Sequence, residues 1–188
     1  APVRADAPPA VQTKESQAAM TPDAALAMLK AGNERFVEGR PLRRDGLQQV
    51  RQTSAGQFPV AAILGCIDSR VPPEMVFDTG IGDVFAARIA GNALDDELLG
   101  SLEFATSVAG AKAIVVLGHT ECGAVKGACD GVEMGHLTQA LALLEPAVAA
   151  ARGKVPPPHD SKNPAFVRAT IDLNAELTAK AMTERSPI

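Results

Sequence analysis

The stretch "VAAILGCIDSR" at residues 60–70 is the most informative part of the sequence for the fold. Its first half is an apolar run, and a thiol, a carboxylate and a guanidinium group follow this run. The segments "VAAIL" (60–64), "DVFAAR" (83–88) and "AIVVLG" (113–118) are short and mostly apolar. Runs of this length, bounded by glycine or proline, are typical of strands that are buried on both faces of a sheet. The sequence therefore predicts three buried β-strands, with reactive side chains directly after the first.

A helical segment connects the second and third predicted strands. "DDELLGSLEFATSVAG" (95–110) has a helical spacing of apolar residues, acidic residues in its first turn and Gly110 at its end. A strand, a crossover helix and a second strand form a parallel pair. We therefore expect an α/β fold with a parallel β-sheet core flanked by helices, formed as a single domain by residues 21–188.

The N-terminal segment divides into two parts. Residues 1–20 are rich in alanine, proline and polar residues without periodicity, which predicts a flexible extension. A helical arm should follow from Thr21 to Glu38, with Thr21 as its cap and Pro22 in its first turn. A start of this composition, without methionine, resembles what remains after removal of a secretory signal. It favours an exported, periplasmic protein, with a cytoplasmic one as the alternative.

Two more helices are predicted in the C-terminal third of the chain. "HLTQALALLEPAVAAAR" (136–152) reads as one helix that Pro146 should bend, and "PAFVRATIDLNAELTAKAMTE" (164–184) reads as another. The loop "GKVPPPHD" (153–160) lies between them, because its prolines do not allow regular structure.

Composition excludes several classes of function. Hydrophobic residues make up 46% of the 188 residues and charged residues 21%, as in ordinary globular proteins. The formal net charge of -4, without a stripe of lysine and arginine, argues against a nucleic-acid partner. No apolar stretch approaches the roughly 20 residues of a membrane span. Three cysteines do not form a disulfide framework, so metal binding or catalysis is favoured.

Two cysteines and a histidine follow the predicted strand ends, where open parallel sheets bind their ligands. Cys66 comes after the first strand, and His119 and Cys122 come after the third. Alone, such a cysteine is more often an apolar filler, and such a histidine often bonds to the backbone. Together they predict a zinc site, because thiolate and imidazole are common zinc ligands. The other cysteine and histidines are expected to pack or to lie at the surface: Cys129, His136 and His159.

Asp68 and Arg70 indicate that this zinc would be catalytic. A structural zinc site has four cysteine or histidine ligands, whereas only three are at hand here. A catalytic zinc keeps one position for water and benefits from a carboxylate that orients this water. Asp68 can supply the carboxylate, and Arg70 can hold it in a bidentate ion pair. The spacing is suited to hydration or hydrolysis.

Three stretches resemble the signature motifs of the β-class carbonic anhydrases: "CIDSRVPPEMVFD" (66–78), "ARIAGNALD" (87–95) and "GHTECGAVKG" (118–127). The resemblance runs from about Thr21 to Pro187 and implies a β-carbonic anhydrase-like fold. It further implies the sites of zinc and of the catalytic dyad. Zinc would be bound by Cys66, His119 and Cys122, the dyad would be Asp68 and Arg70, and Asp68 would be a fourth ligand in a closed state.

The resemblance also implies a substrate pocket and an assembly. Gln57 falls where a glutamine can donate a hydrogen bond to substrate, and Phe104 where the neighbouring subunit contributes an aromatic residue. The other pocket positions are Phe85, Ala90 and Gly123, although core packing is the alternative role of these side chains. The family forms homodimers, often paired into homotetramers. Its members also continue into a further strand, so this chain is expected to lack the family's C-terminal strand.

The function that the resemblance implies is the reversible hydration of carbon dioxide to bicarbonate and a proton by zinc-bound hydroxide. The protein would be a lyase with Zn²⁺ as its only cofactor. Two alternatives stay open: a catalytically inactive zinc-containing binding or scaffold protein, and a hydrolase of a carbon dioxide analogue such as carbon disulfide. A thiol redox protein is disfavoured, because the sequence has no C-x-x-C motif.

Overall fold

The computed structural model describes residues 9–188. None of the helices in this part of the chain is long and apolar enough to cross a membrane. The elements in chain order are α1 (Lys14–Ala19), α2 (Pro22–Val37), α3 (Gly46–Thr53), β1 (Ala61–Gly65), α4 (Pro73–Val76), β2 (Val84–Arg88), α5 (Asp96–Glu103), β3 (Ala113–Leu117), α6 (Gly123–Cys129), α7 (Gly135–Ala142), α8 (Glu145–Arg152) and α9 (Pro164–Arg185). A 3₁₀ turn (Ala90–Asn92) follows β2, and a π-helical turn (Phe104–Val108) extends α5.

The three strands form the parallel sheet that the sequence predicts. Their order is β2-β1-β3, so β1 is the central strand and is buried along its whole length. Gly65 at the end of β1 pairs with Arg88 of β2 and with Leu117 of β3. The predicted α/β fold with helices flanking a parallel sheet is confirmed. The segment that starts at Cys66 therefore leaves the middle of the sheet.

Side chains of β1 alternate between two apolar layers. Ile63 packs in one layer with Leu29 of α2. Leu64 packs in the opposite layer with Leu102 of α5 and Met182 of α9. Burial of one such side chain contributes about 1.5–3 kcal/mol. Helices on both faces of the sheet thus hold β1 and fix the position of the residues that follow it.

The N-terminal segment differs in part from the expectation of a flexible extension over residues 1–20. Residues 1–8 lie outside the described residues, but residues 14–19 form helix α1, so the expectation is wrong there. Gln17 of α1 is 8% exposed, and its side-chain amide nitrogen, Nε2, donates hydrogen bonds to the carbonyl oxygens of Pro59 and Ala109 at 2.7 and 2.9 Å. These hydrogen bonds attach α1 to the domain. The arm α2 is confirmed, with Thr21 as its cap.

The segment 136–152 forms two helices, and the expectation of one bent helix is wrong. Helix α7 ends at Ala142, and α8 begins at Glu145. Proline has no N–H to donate and its ring collides with the preceding turn of a helix, so it is accepted only near a helix start. Pro146 accordingly lies in the first turn of α8. Leu144, between the two helices, is fully buried and anchors the junction in the core.

A buried ion cluster fixes the N-terminal arm to the loop between α4 and β2. The Asp78 carboxylate is almost inaccessible and accepts hydrogen bonds from Arg35 of α2, from Arg44 and from the backbone of Leu42. Burial raises the pKa of Asp78, but the hydrogen bonds from the two guanidinium groups outweigh this effect and leave the pKa lowered. The carboxylate therefore stays ionised and ties three segments together.

Candidate metal centre

The carboxyl ends of β1 and β3 place the first two groups of the site side by side. Cys66 directly follows β1, and His119 comes two residues after β3. Because Gly65 pairs with Leu117 where these neighbouring strands end, both side chains start from adjacent positions. Cys122 lies three residues further, as the residue that precedes α6. The parallel sheet thus gathers the three side chains that the sequence singles out.

The three side chains form a compact set of metal ligands. One ligand atom each from Cys66, His119 and Cys122 lies within 4.8 Å of the others, and within residues 9–188 this is the only such group. The two sulfur atoms are 3.9 Å apart, and both cysteines are buried. His119 Nδ1 lies 2.9 Å from the carbonyl oxygen of Thr120, while Nε2 is buried without a partner among the described residues. A hydrogen on Nδ1 leaves the Nε2 lone pair free, so the group fits a zinc ion.

The thiols of Cys66 and Cys122 have pKa values that are shifted in opposite directions. A hydrogen bond from Cys122, together with the one from the Gly91 N–H, outweighs burial and lowers the pKa of Cys66 to about 4. The hydrogen bond to Cys66 and burial raise the pKa of Cys122. Cys66 is therefore the thiolate of the pair in the absence of a cation. A bound cation would favour the loss of the second proton as well, because thiolates are the metal-binding form.

Asp68 and Arg70 form the predicted bidentate ion pair next to the ligands. The carboxylate accepts from Arg70 Nε at 2.9 Å, from Nη2 at 2.7 Å and from the backbone N–H at 2.9 Å. The side-chain hydrogen bonds from Arg70 hold the pKa of Asp68 well below its usual range. Arg70 also donates to the carbonyl oxygen of Glu121, between two of the ligands. Asp68 Oδ2 is 4.0 Å from His119 Nε2, so the carboxylate faces the centre while the arginine holds it.

A small cavity of about 280 Å³ opens beside the centre. Two of the predicted pocket residues, Ala90 and Gly123, line it together with Cys66 and Asp68. Most of its wall is apolar, because two leucines of α7, Leu137 and Leu141, and glycine or alanine residues of α6 supply it. The cavity therefore offers space for a small uncharged molecule next to the sulfur and the carboxylate.

The other three predicted pocket residues lie elsewhere in the single chain. Gln57 is exposed in the loop before β1. Phe85 and Phe104 pack edge to face with their ring centroids 6.4 Å apart, and they line a separate groove of about 640 Å³. Among the described residues these three do not line the cavity. A role of theirs in substrate binding stays a prediction, and for Phe104 it concerns the pocket of a second copy.

The remaining cysteine and histidines are apart from the ligand group. Cys129 is buried, burial raises the pKa of its thiol, and its sulfur lies 3.8 Å from Thr170 Oγ1. His159 packs against Phe166 with ring centroids 5.0 Å apart, and His136 is exposed on α7. These positions agree with packing and surface roles.

Three residues that contact the site had no predicted role. Arg88, the last residue of β2, donates to the carbonyl oxygens of Cys66 and Asp68 at 2.8 and 2.6 Å. The Gly91 N–H donates to Cys66 Sγ at 3.2 Å, and Asn174 of α9 donates to the Gly91 carbonyl oxygen at 2.7 Å. Arg88 and Gly91 belong to the quoted stretch "ARIAGNALD", which could have indicated them. Asn174 has no sequence signal, because its contact depends on how α9 packs.

Comparison with known proteins agrees with this geometry. The family model described as carbonic anhydrase matches residues 61–188. Carbonic anhydrase 2 of Mycobacterium tuberculosis is 48% identical over 117 residues, which cover 62% of this chain and 56% of the relative. Carbonic anhydrase of Mycolicibacterium smegmatis is 44% identical over 117 residues, with 62% and 57% covered. The chain thus spans a little over half the length of these relatives.

Solved structures show the same fold. A β-carbonic anhydrase of Aspergillus fumigatus superposes with a TM-score of 0.61 at 28% identity, over 86% of this chain and 75% of that one. A tetrameric β-carbonic anhydrase of Sordaria macrospora superposes with a TM-score of 0.65 at 24% identity, over 88% and 81%. The family model covers more than half of the chain and includes all three candidate ligands. The chain therefore belongs to the carbonic anhydrase family, in its β class.

Proposed function

We propose that this chain is a zinc-dependent carbonic anhydrase that catalyses the reversible hydration of carbon dioxide to bicarbonate and a proton. One observation carries the proposal: a buried group of two cysteines and a histidine lies beside an ionised aspartate and a small apolar cavity. A structural zinc site would need a fourth cysteine or histidine and would not need the aspartate.

The metal would be held by Cys66, His119 and Cys122. Their thiolate and imidazole groups are the ligand types that zinc prefers, and their burial excludes competing water from the sulfur atoms. When bound, zinc would supply the Lewis acidity that makes water a nucleophile near neutral pH. With three protein ligands, zinc would still be able to bind this water.

Asp68 would orient the attacking water. An ionised carboxylate accepts hydrogen bonds and donates none, so Asp68 would accept a hydrogen bond from the water. This hydrogen bond would direct a lone pair of the water oxygen toward the substrate carbon. Arg70 keeps Asp68 ionised and occupies both carboxylate oxygens, which holds the side chain in one orientation. Attack by the water oxygen would form one carbon–oxygen bond while one C=O π bond of carbon dioxide opens and its electron pair moves to the oxygen of that bond. One O–H bond of the water would break, and its proton would leave to solvent.

The cavity beside the centre would hold carbon dioxide. Its volume of about 280 Å³ is ample for a three-atom molecule, and Leu137 and Leu141 give it apolar walls. Such walls accept an uncharged substrate and disfavour a charged one, because a charge that loses water without a partner is costly. Bicarbonate would therefore leave readily after it forms.

The chain would act as a homodimer or homotetramer. β2 is an edge strand of the sheet, and the groove beside it includes Phe104, which is 50% exposed. Val108, on the same π-helical turn as Phe104, is 73% exposed. Apolar surface of this kind marks contact sites between proteins. The Sordaria macrospora relative of the same fold is tetrameric. Light scattering on the purified chain should give a mass of two or four copies, and a fully active monomer would contradict this.

Stopped-flow mixing with dissolved carbon dioxide tests the proposed activity. A pH indicator in weak buffer reports proton release, and the metal content of the same sample is measured in parallel. We expect release well above the uncatalysed rate, with a variant that lacks a ligand, Cys66→Ser, at the uncatalysed rate. Bound zinc without any acceleration would instead support a scaffold protein.

Carbon disulfide serves as the second substrate in the same assay. Its hydrolysis uses the same centre, so activity toward carbon disulfide and none toward carbon dioxide would replace the proposed reaction. We expect the opposite preference, because the family model that matches this chain is that of the carbonic anhydrases.

A further inference from the structure

The Cys66 sulfur accepts a hydrogen bond from the backbone as well as facing the proposed metal. The donor is the N–H of Gly91, whose nitrogen lies 3.2 Å from Sγ. Both residues are buried, so water does not compete for this contact. A hydrogen bond to a thiolate withdraws electron density from the sulfur and fixes its direction, and such contacts tune metal centres.

The turn that carries this N–H has an unusual backbone. Gly91 has φ +71° and Asn92 has φ +45°, so two consecutive residues lie in the left-handed region. An asparagine in this region costs energy, and a turn of this kind persists only if its surroundings hold it. The Gly91 N–H therefore needs contacts that keep it directed at Cys66.

Asn174 supplies one such contact from a distant part of the chain. It lies on α9, is 4% exposed, and its Nδ2 donates to the Gly91 carbonyl oxygen at 2.7 Å. Its helix neighbours Ile171 and Leu173 belong to the apolar core. A buried amide in such surroundings destabilises the fold unless it is hydrogen-bonded, so packing alone would favour leucine at this position.

We propose that Asn174 is a positioning residue that keeps the Gly91 N–H on Cys66 Sγ and so sets the donor strength and the orientation of this metal ligand. The inference rests on the proposed zinc centre. It links helix α9 to the centre through one side chain and one backbone turn. The side chain of Asn174 donates to Gly91 and is not part of the cavity lining, so its effect on Cys66 would pass through Gly91.

Replacement of Asn174 should change the spectrum of the metal centre. Cobalt(II) substitutes for zinc and gives a sulfur-to-metal charge-transfer absorption. Loss of the hydrogen bond makes the sulfur a stronger electron donor, which moves this absorption to longer wavelength. Contacts of this kind alter metal affinity by about 10–100-fold. We expect Asn174→Leu, which keeps the number and branching of the side-chain heavy atoms, to show the longer-wavelength band. We also expect its zinc affinity to be about tenfold weaker, because the sulfur is no longer held in the orientation that the metal needs.

Thr170→Val is the matched control on the same helix. Thr170 is fully buried and its hydroxyl donates to the Phe166 carbonyl oxygen at 2.8 Å, so the control also removes one buried hydrogen bond from α9. Its hydrogen bonds do not lead to Gly91. Thr170→Val should lower the thermal midpoint and leave both the cobalt band and the zinc affinity as in the parent. Asn174→Ala, which adds no volume, gives the same comparison if the leucine variant does not fold.

The outcomes separate this inference from the proposed function. A parent protein that shows no sulfur-to-cobalt band overturns the zinc centre and the inference with it. A parent with the band, and an Asn174 variant whose band and affinity are unchanged, overturns only the role of Asn174. An equal spectral change in Thr170→Val also overturns it, because the effect would then be general loosening of α9.

Discussion

Replacement of Gly91 by alanine should destabilise the fold strongly, because the new methyl group has no space. Its carbon would lie 2.8 Å from Leu144 Cδ1 and 3.3 Å from the Ala124 side chain. Leu144 is fully buried at the junction of α7 and α8, so it cannot move into solvent. Gly91 also has φ +71°, a conformation that alanine rarely adopts.

The strained backbone and the close packing together give the expected loss in the free energy of unfolding of Gly91→Ala. The left-handed backbone costs about 1–2 kcal/mol for a residue with a side chain. Overpacking of a well-filled core costs about 1–3 kcal/mol. The sum of about 2–5 kcal/mol is a large part of the roughly 5–15 kcal/mol by which an ordinary domain is stable. Gly91→Ala should therefore be among the most damaging single-methyl changes in the chain.

Urea unfolding of the metal-free protein measures this loss, and a second glycine provides the control. Gly131 has φ +64°, but a methyl group there would meet no atom within 4 Å. Gly131→Ala should lose only the backbone contribution, about 1–2 kcal/mol. If Gly91→Ala lost no more free energy of unfolding than Gly131→Ala, the argument from close packing at Leu144 would be refuted.

Four further variants test the site and the ion cluster around Asp78. Cys66→Ser should lose most of its bound zinc because a hydroxyl is a poor zinc ligand, whereas Cys129→Ser should keep its zinc; metal analysis after dialysis compares the two. Arg70→Ala should keep its zinc and lose about 10–100-fold in turnover, because Asp68 is no longer held; undiminished turnover would contradict this. Asp78→Asn should lose about 3 kcal/mol of stability at neutral pH, because the partly buried guanidinium groups of Arg35 and Arg44 lose the buried carboxylate that they share. Because the pKa of Asp78 is lowered in the folded protein, its contribution to the free energy of unfolding is present in full above the unfolded pKa of about 3.9. This contribution is lost as the pH falls through the pKa of the folded protein. The difference in the free energy of unfolding between the parent and Asp78→Asn, measured with urea, should therefore become smaller in acid.

The sheet and the ligand group could be predicted because their signals are local. A continuous apolar run such as residues 60–64 can be satisfied only by burial on both faces, and this places Cys66 at a strand end. His119 follows a similar run, and parallel strands bring their carboxyl ends to one edge. The apolar runs predict where the strands end, and the metal-binding side chains that follow them predict a site at these strand ends.

Other features depend on contacts between distant segments and have no local signal. Residues 14–19 have the composition of a flexible segment, yet the hydrogen bonds of Gln17 attach them to the domain. Pro146 indicates an interruption in a helical pattern, but a bend and a new helix look alike in sequence. Asn174 contacts Gly91 across 83 positions of the chain, and only the packing of α9 brings them together.

The pocket residues show a third limit, which is set by assembly. Ala90 and Gly123 line the cavity because Ala90 comes two residues after β2 and Gly123 directly follows Cys122. Phe104 packs against Phe85 of β2 and lines a separate groove, so its predicted role in the pocket of a second copy stays a prediction. The sequence of one chain does not distinguish a residue of its own pocket from a residue of a neighbouring pocket, because both can belong to the same motif.

A titration of metal-free protein with zinc tests the central claim most directly. The rate of carbon dioxide hydration is followed as zinc is added, and bound metal is counted in the same samples. We expect the rate of carbon dioxide hydration to rise in proportion to the bound zinc and to stop rising at one zinc ion per chain. A protein that binds one zinc ion per chain and still hydrates carbon dioxide no faster than buffer would contradict this expectation.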